Sequence, residues 1–427
     1  MTERPAPASG RPTSVTPASR RHIGVVVAVL GAVATLGPAA MDAYLPALPT
    51  VAADLAASTS AIALTMTAFL GGLGVGMLFS GSISDSLGRR VPLLVGMVLY
   101  VLAALGCAFA PSLGVLIVMR FVLGMASAGG YAIGQAMIAD YTRGTQAARL
   151  MSRLAVVSYL APILAPPIGA QVLRVTSWRG IFILLAVLGT ALLLTVFRVV
   201  GESLPLERRI SGGVQSTLRT ARGLLRDRHF LGLMVLGAFS SAAFYGYLTG
   251  VSFVYQNVGG LSPTAFSILF TVNAVGMLAS VQGNHRLLAR FSPRQLLGAD
   301  LLAVAVAATA AVAVSFTEPL NLIALAVALF FAVAAMASIV PNAVALALSL
   351  HPETAGSASA LYGASGIVLG ALATPLVGLG GTSALSMTLV MCVASLVALG
   401  VYVLGPRRFP DQPGAAELEP QGDVFLA

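Results

Sequence analysis

Long apolar stretches recur along the whole chain and are separated by short polar segments. Twelve of them are about as long as the roughly 20 residues that a helix needs to cross a bilayer core. Their approximate bounds are 23–45, 59–82, 92–110, 113–138, 151–173, 179–200, 230–256, 263–283, 295–315, 319–341, 355–378 and 382–404. These runs are too long and too uniformly apolar for barrel strands. The pattern predicts an all-α polytopic membrane protein with twelve transmembrane helices.

The composition fits a chain whose surface faces lipid. Of 427 residues, 57% are hydrophobic and 9% are charged, whereas a soluble domain carries about 25% charged residues. The net charge of +9 comes from arginines that form no basic face of the kind that binds nucleic acid. Two cysteines far apart in apolar runs and four scattered histidines predict neither a disulfide framework nor a metal site. We therefore expect no cofactor and no nucleic-acid partner.

The arginines are concentrated in alternate connections between the spans. They are Arg4, Arg11, Arg20 and Arg21, then Arg89 and Arg90, Arg143, Arg149 and Arg153, Arg208, Arg209, Arg219, Arg222, Arg226 and Arg228, Arg286, Arg290 and Arg294, and Arg407 and Arg408. The opposite connections carry only Arg174 and Arg179. Because cytoplasmic loops are enriched in arginine, both termini are expected in the cytoplasm of a multi-pass protein of the plasma or inner membrane.

The two halves of the chain look related. Pro166 and Gly169 in the fifth span recur, at the same spacing, as Pro375 and Gly378 in the eleventh. Proline and glycine are common in membrane helices and can align by chance, but the span count and the long central loop agree with a duplication. The expected organisation is a disordered cytoplasmic tail (1–22), a six-helix bundle (23–200), a cytoplasmic linker (201–229), a second pseudo-symmetric six-helix bundle (230–405) and a cytoplasmic tail (406–427). Two such bundles leave a cleft near the middle of the membrane.

Two charged residues lie deep in apolar spans. Asp42 stands in the outer half of the first span, within "MDAYLPALP", and a carboxylate there costs about 3 kcal/mol. Arg120 stands at a similar depth in the fourth span and cannot lose its proton. An ion pair between Asp42 and Arg120 would explain why both charges are tolerated in apolar spans. A carboxyl in that position could take up a proton on the outer side of the membrane and release it on the inner side. An interfacial Asp42 that reaches water, and a fixed structural ion pair, remain alternatives.

The connection after the second span has an ordered pattern, "GSISDSLGRR". Gly81 would permit close packing, Asp85 would cap or pair at the helix end, and Gly88 would allow a tight turn. Arg89 and Arg90 would anchor the loop at the inner surface. An ordinary arginine-rich cytoplasmic loop accounts for the arginines alone.

This loop resembles the signature between helices two and three of the major facilitator superfamily. Residues 120–124, "RFVLG", and 164–170, "LAPPIGA", resemble its fourth-helix motif and the fifth-helix motif of its proton-driven exporters. "MDAYLPALP", "GESLPLERR" and "PNAVALAL" are similar to the Bcr/CflA branch of drug–proton antiporters, and the likeness runs from about residue 22 to about 405. Departures from these patterns are Ser86, Leu123, Ala165 and Ala170.

The resemblance implies proton-driven export of drug-like amphiphilic molecules of the bicyclomycin and chloramphenicol type, by alternating access. It implies proton coupling through Asp42 and Arg120, a gating loop and an antiporter kink. The residues that it places in the loop are Gly81, Asp85, Gly88, Arg89 and Arg90, and those in the kink are Pro166 and Gly169.

Substrate contacts can be predicted only coarsely from residue type. Aromatic and polar side chains within spans suit an amphiphilic ligand, although aromatic residues also pack against lipid and at its interface. The candidates are Tyr44, Tyr131, Gln135, Phe244, Tyr245, Asn273, Asn342 and Tyr362. Asp300 and Glu318 lie near span ends and are expected at the interface.

An alternative function is a proton-coupled symporter that imports a small nutrient or metabolite. A membrane enzyme is disfavoured because the spans hold no clustered catalytic histidines or carboxylates. No phosphate-binding G-x-x-x-x-G-K-[ST] loop occurs, which excludes ATP as the energy source in this chain. The expected partners are therefore a small molecule, protons and the lipid bilayer, and we expect a monomer.

Overall fold

The computed structural model describes residues 20–141, 161–209, 222–379 and 383–405, which are almost entirely helical. The α-helices are α1 (Arg20–Asp42), α2 (Leu48–Asp54), α3 (Thr59–Leu87), α4 (Arg90–Ala108), α5 (Leu113–Tyr141), α6 (161–175), α7 (Arg179–Val199), α8 (Arg228–Phe253), α9 (Pro263–Leu287), α10 (Pro293–Val314), α11 (Leu322–Leu350), α12 (Ala355–Val377) and α13 (Ala384–Leu404). A 3₁₀ turn, Leu45–Ala47, joins α1 to α2, and a π-helical turn, Val254–Val258, follows α8.

Eleven spans in the described part of the chain are long and apolar enough to cross a membrane. The twelfth expected span, 151–173, is represented by α6, and its residues before 161 lie outside the described ranges. The predicted all-helical membrane fold is confirmed. Of the two expected tails, residues 1–19 and 406–427 lie outside the described ranges. The bounds of the two halves remain predictions.

Polar caps fix several helix starts in an otherwise apolar chain. The side chains of Ser58, Ser262 and Asn321 each accept a hydrogen bond from a backbone N–H three residues later. Ser292 and Gln295 form a reciprocal capping box at the start of α10. Such caps satisfy donors that have no partner within the helix, so each helix begins where the sequence changes from polar to apolar.

The packing pairs of the two halves correspond. In the first half α5 packs against α1, α3 and α4, while α7 packs against α1 and α4. In the second half α11 packs against α8, α9 and α10, and α13 packs against α8 and α10. These are the same pairs once α1, α3, α4, α5 and α7 are matched to α8, α9, α10, α11 and α13. Between the halves, α3 packs against α12.

The helix ends define two faces of the molecule. We call the face where α1 begins and α13 ends the tail face, and the face that carries α2 the far face. Arg179, an exception to the arginine pattern, lies on the far face, where its guanidinium lies 2.6 Å from the Asp54 carboxylate. The Trp178 indole donates a 2.9 Å hydrogen bond to the same carboxylate. This exceptional arginine is therefore neutralised locally.

Candidate functional site

The first helix ends at Asp42 because prolines interrupt it. Pro46 and Pro49 lack the N–H groups that a continuing helix would use, and the chain passes into the 3₁₀ turn Leu45–Ala47. The Leu45 carbonyl accepts the Leu48 N–H within this turn, and both it and the Pro46 carbonyl also accept hydrogen bonds from the second half. Ser252 donates to the Leu45 carbonyl at 2.5 Å and Gln256 donates to the Pro46 carbonyl at 3.2 Å. The prolines thus connect the end of α1 to the second half.

Asp42 is only 6% exposed and lines a cavity of about 210 Å³ between the two halves. It is the single charged residue that the described part of the chain contributes to the lining of this cavity. Among the described residues, its carboxylate has no hydrogen-bond donor and no Arg or His nitrogen within 4.0 Å. Apart from the Asn273 amide, the rest of the lining is apolar or aromatic. Its lining residues are Gly37, Pro38, Met41, Phe69, Leu73, Pro162, Phe244, Tyr245, Tyr247, Leu248, Phe270, Asn273, Ala274, Met277 and Val333.

Aromatic rings from α8 and α9 form one wall of this cavity. Tyr247 stacks on Phe270 with ring centroids 6.3 Å apart, and Phe244 meets Tyr245 edge to face at 5.6 Å. The Asn273 amide donates a 2.7 Å hydrogen bond to the Tyr247 hydroxyl. Of the expected substrate contacts, Phe244, Tyr245 and Asn273 therefore lie at the cavity. Tyr247 belongs to the same aromatic-rich span as Phe244 and Tyr245, whereas Phe270 of α9 was not among the expected contacts.

The ion pair expected between Asp42 and Arg120 is not formed. Arg120 is fully buried and donates to the Ala40 carbonyl at 2.9 Å. Its guanidinium lies over the rings of Tyr44 and Phe69, 4.5 and 4.6 Å from their centroids. Cation–π contacts and a carbonyl thus replace the carboxylate as partners of the cation. Phe69 contacts both Arg120 and the cavity, so the two charges occupy separate environments.

Four other expected substrate contacts lie away from this cavity. Tyr44 is fully buried beneath Arg120 and packs against Phe182, with centroids 5.4 Å apart. Tyr362 is buried beside Gly237, between α8 and α12. Tyr131 and Gln135 are half-buried on α5 and do not line the cavity. Residue type alone did not indicate which helix face each side chain occupies.

Asn342 also lies away from this cavity. It is buried, and its amide exchanges two hydrogen bonds with the Asn284 amide, at 2.9 and 3.1 Å. Both residues belong to the second half, on α11 and α9. The pair is thus an internal contact of that half.

The tail-face loop after α3 centres on Arg89, which is only 9% exposed. Its guanidinium lies 2.6 Å from the Asp85 carboxylate and 3.3 Å from that of Asp140, and it donates to the Ser84 hydroxyl at 2.7 Å. The expected loop arginine is therefore a buried cross-link between α3, α4 and α5.

Arg90, the next residue, has different partners. It donates to the Phe197 carbonyl at 2.8 Å and lies over the Phe197 ring.

Glu202 completes this network from the segment after α7. Its carboxylate accepts backbone N–H bonds from Arg89 and Arg90, at 2.8 and 3.2 Å, and two more from residues 203 and 204. Burial opposes ionisation of Glu202, but these four bonds outweigh it and hold its pKa below the ordinary value. Within "GESLPLERR" the sequence offered this acidic residue without indicating what it binds.

The two glycines of the loop differ in their surroundings. Gly88 has φ of +94°, a conformation that favours glycine, and a Cβ there would collide with Glu202 and Arg209. A Cβ at Gly81 would meet nothing within 4 Å. The close packing expected at Gly81 is therefore wrong, whereas the tight turn at Gly88 is present.

Helix α6 joins the two halves through its backbone. It stays helical through Pro166, whose carbonyl accepts a 3.1 Å hydrogen bond from Ser267 of α9. A Cβ at Gly169 would overlap the Ala43 carbonyl, so this glycine permits direct contact with the chain next to Asp42. Pro166 and Gly169 thus place α6 between α9 and the end of α1.

The described conformation is closed on the far face. The hydrogen bonds found between the two halves all lie in the half of the molecule nearer that face, including those of Ser252 and Gln256 and a 2.5 Å contact between Thr67 and Thr374. A second cavity, of about 270 Å³, adjoins the first through Phe244 and Tyr245 and extends toward the tail face.

Comparisons with known proteins agree on the class of molecule. The family model described as Major Facilitator Superfamily matches residues 29–375. The uncharacterized MFS-type transporter YdgK of Bacillus subtilis (strain 168) is 35% identical over 89% of this chain and 95% of its own length. The bicyclomycin resistance protein homolog of Haemophilus influenzae is 29% identical over 64% of this chain and 69% of its own length.

Solved structures show the same fold at low sequence identity. A bacterial homolog of the human lysosomal transporter Spinster, inward-facing and occupied, is 16% identical with a TM-score of 0.74, and covers 91% of this chain and 97% of that one. The xylose transporter XylE from E. coli, inward open, is 16% identical with a TM-score of 0.71, and covers 92% and 98%. Groups of three or more metal-binding side chains do not occur among the described residues.

Proposed function

Because the chain belongs to the major facilitator superfamily, and is a transporter rather than an enzyme, we propose that it exports drug-like amphiphilic molecules in exchange for protons, by alternating access. The proposed substrates are of the bicyclomycin and chloramphenicol type. The relatives named for bicyclomycin resistance and multidrug resistance support this choice over nutrient import.

The observation that carries the proposal is the carboxyl group of Asp42 in the cavity between the halves. It is buried, faces an apolar space and has no cationic partner among the described residues. An ionised carboxylate in such a place is costly, so it binds a proton or a cationic group of the substrate. When the cavity opens to water the cost falls, and the proton is released. This one group can therefore exchange proton and substrate.

The chemistry of the cavity wall supports an amphiphilic substrate. Flat rings such as those of Tyr247 and Phe270 bind apolar or aromatic surface without demanding one shape. Asn273 and Asp42 supply the few polar groups that orient such a ligand. A sugar-like nutrient would need more hydrogen-bonding side chains than this lining offers.

Arg120 has a positioning role in this proposal. Its bond to the Ala40 carbonyl and its contact with the Tyr44 ring lie on either side of Asp42 in the sequence. The buried cation thereby holds the last turn of α1 against α5. Arg120 would set the position of the Asp42 carboxyl without contacting it.

The test uses everted membrane vesicles that acidify their interior by respiration, with a pH-sensitive dye. Adding chloramphenicol or bicyclomycin outside should release protons and restore dye fluorescence, because an antiporter brings substrate in as protons leave. A symporter would give no response, because outward proton flow would need substrate inside. Asp42→Asn should abolish the response and return cells to the drug sensitivity of cells without the protein.

Glu353→Gln is the matched control, because Glu353 is an exposed carboxylate of the tail face. It should respond as the unmodified protein does. Substrate-induced proton release by the Asp42→Asn protein at the normal rate would contradict the role of Asp42. If the unmodified protein released no protons on addition of either drug or of a wider panel of amphiphiles, drug–proton exchange itself would be contradicted.

A further inference from the structure

A second polar cluster lies inside the other half of the molecule, where α9, α10 and α11 meet. The Asn342 amide, which pairs with Asn284, also lies 3.5 Å from the Asp300 carboxylate. The Ser338 hydroxyl contacts the same carboxyl, and it lies 3.0 Å from the Ser280 hydroxyl. Three membrane helices thus converge on one acidic side chain.

Asp300 lies within α10, and the expectation that it is interfacial stays a prediction. It stands seven residues beyond Pro293, about 10 Å along the helix at 1.5 Å per residue. The neighbouring exposed positions of α10 are apolar, as Leu302 and Val306 show at 55% and 62% exposure. Its carboxyl is half-buried, and its hydrogen-bond partners, Asn342 and Ser338, belong to α11, which α9 joins through Asn284.

In the part of the chain that the structure describes, no cation neutralises this carboxyl. Within the described ranges, no Arg or His nitrogen lies within 4.0 Å of it. The charged residues of the surrounding elements lie toward the tail face: His285 and Arg286 at the end of α9, Arg294 in the first turn of α10, and His351 after α11. The His351 imidazole lies 2.7 Å from the Asp227 carboxylate. Helix α13, which also packs against α10, carries no charged residue.

We propose that Asp300 is a second proton-binding site, in which the carboxyl is held neutral by its membrane surroundings and bound by Asn342 and Ser338. An ionised group with only neutral donors is costly in hydrocarbon, whereas a protonated carboxyl both donates and accepts hydrogen bonds. The Ser338 hydroxyl can accept the added proton while it donates to Ser280. The amide and hydroxyl oxygens around Asp300 are already engaged in hydrogen bonds, which suits a proton better than a metal cation that needs free oxygen ligands.

The cluster is mechanically connected to the cavities. Asn342 follows Pro341, which interrupts the hydrogen bonds of α11 and marks a point where that helix bends readily. On its other side α11 lines the central cavity with Val333 and the second cavity with Met336 and Pro341. A change in the bond between Asp300 and Asn342 therefore acts next to the bending point of a cavity-lining helix. This coupling to transport rests on the proposed function, whereas proton binding at Asp300 does not.

The test is infrared spectroscopy of the purified full-length protein in lipid, titrated from about pH 9 to about pH 5, above the range where exposed carboxyl groups protonate. Asp300→Asn should remove one component of the protonated-carboxyl C=O band. Asn342→Leu keeps Asp300 but removes its amide donor, and should shift the frequency of that component. Glu318→Gln, an exposed carboxylate at the far face, should leave the band unchanged.

A band in Asp300→Asn identical to that of the unmodified protein would overturn the proposal. So would a component assigned to Asp300 that appears only together with the exposed carboxyl groups. If Asp300→Asn fails to fold, the frequency shift in Asn342→Leu decides, and its absence would also overturn the proposal. Because the titration uses no substrate, its result is independent of whether the vesicle assay finds drug–proton exchange.

Discussion

Corresponding helices of the two halves hold very different polar clusters. In the first half, α3, α4 and α5 are joined at the tail face by Arg89, which binds Asp85, Asp140 and Ser84. In the second half, the matching helices α9, α10 and α11 are joined by neutral amides around Asp300. The first cluster lies at helix ends, whereas the second extends from Asn284 in the last turn of α9 to Asp300, seven residues beyond the first residue of α10.

The position of each cluster along its helices gives a physical reason for this difference. At a helix end, water and backbone N–H groups stabilise charge, so a guanidinium and carboxylates can be cross-linked there. Deeper in the helices an added arginine would be expensive, and amide pairs satisfy each other without net charge. One duplicated plan therefore supports an ionic cross-link in one half and a neutral, proton-accepting cluster in the other.

The largest effect on the free energy of unfolding is expected at the Arg89 cluster of the first half. Arg89→Ala would leave two carboxylates and a buried hydroxyl without their shared donor, lowering the free energy of unfolding by about 3 kcal/mol. Thermal unfolding of the purified protein measures it. Arg89→Lys should recover part of the loss, because it keeps the charge but not the planar fork of donors.

Arg286→Ala is the matched control for Arg89→Ala, since Arg286 is an exposed arginine at the end of the corresponding helix α9. We expect little change in its unfolding temperature. Equal losses in Arg89→Ala and Arg286→Ala would show that the two halves do not differ at the tail face.

A smaller effect is expected at the amide pair. Asn284→Leu and Asn342→Leu should each lower the free energy of unfolding by about 1 kcal/mol, as each leaves a buried amide without its partner. The double variant should lose less than the sum of the two. Unfolding of all four proteins in one lipid or detergent measures this coupling. Strictly additive losses would mean that the two amides do not stabilise each other.

The smallest effect is expected from pH at Glu202. Its pKa is lower in the folded protein than its ordinary value of 4.5, so its stabilising contribution is complete above that value. The contribution is lost as the pH falls through the lowered folded pKa. Glu202→Gln should therefore show a weaker loss of thermal stability on acidification than the unmodified protein. The opposite order would mean that its backbone N–H bonds do not favour the ionised form.

Much of the fold could be predicted because it depends on local signals. The helices begin and end within a few residues of the expected spans in most cases, since apolar runs and serine, asparagine and proline caps are written in neighbouring positions. The prolines after Asp42 likewise predicted the end of α1. The main local error was at α11, which continues past Pro341 to Leu350 because buried contacts with α9 and α10 hold it.

The site was predicted less well because it depends on which faces meet. Placing Asp42 and Arg120 at similar depth suggested a pair, but rings from the turn after α1 and from α3 and α7 surround Arg120 instead. Asn342 and Asp300 lie 42 residues apart and join only because α10 and α11 pack together. Such partners come from separate helices, and depth alone does not specify rotation.

The sequence by itself determined that this chain spans a membrane as twelve apolar helices, because hydropathy and helix length follow from neighbouring residues. It also determined which few polar residues are too costly to leave in lipid. Only the tertiary structure decided what each of them contacts, since the rotation of each helix is set by packing against its neighbours. For this reason Asp42 faces the cavity, Arg120 lies among aromatic rings, and Asp300 lies among amides and hydroxyls.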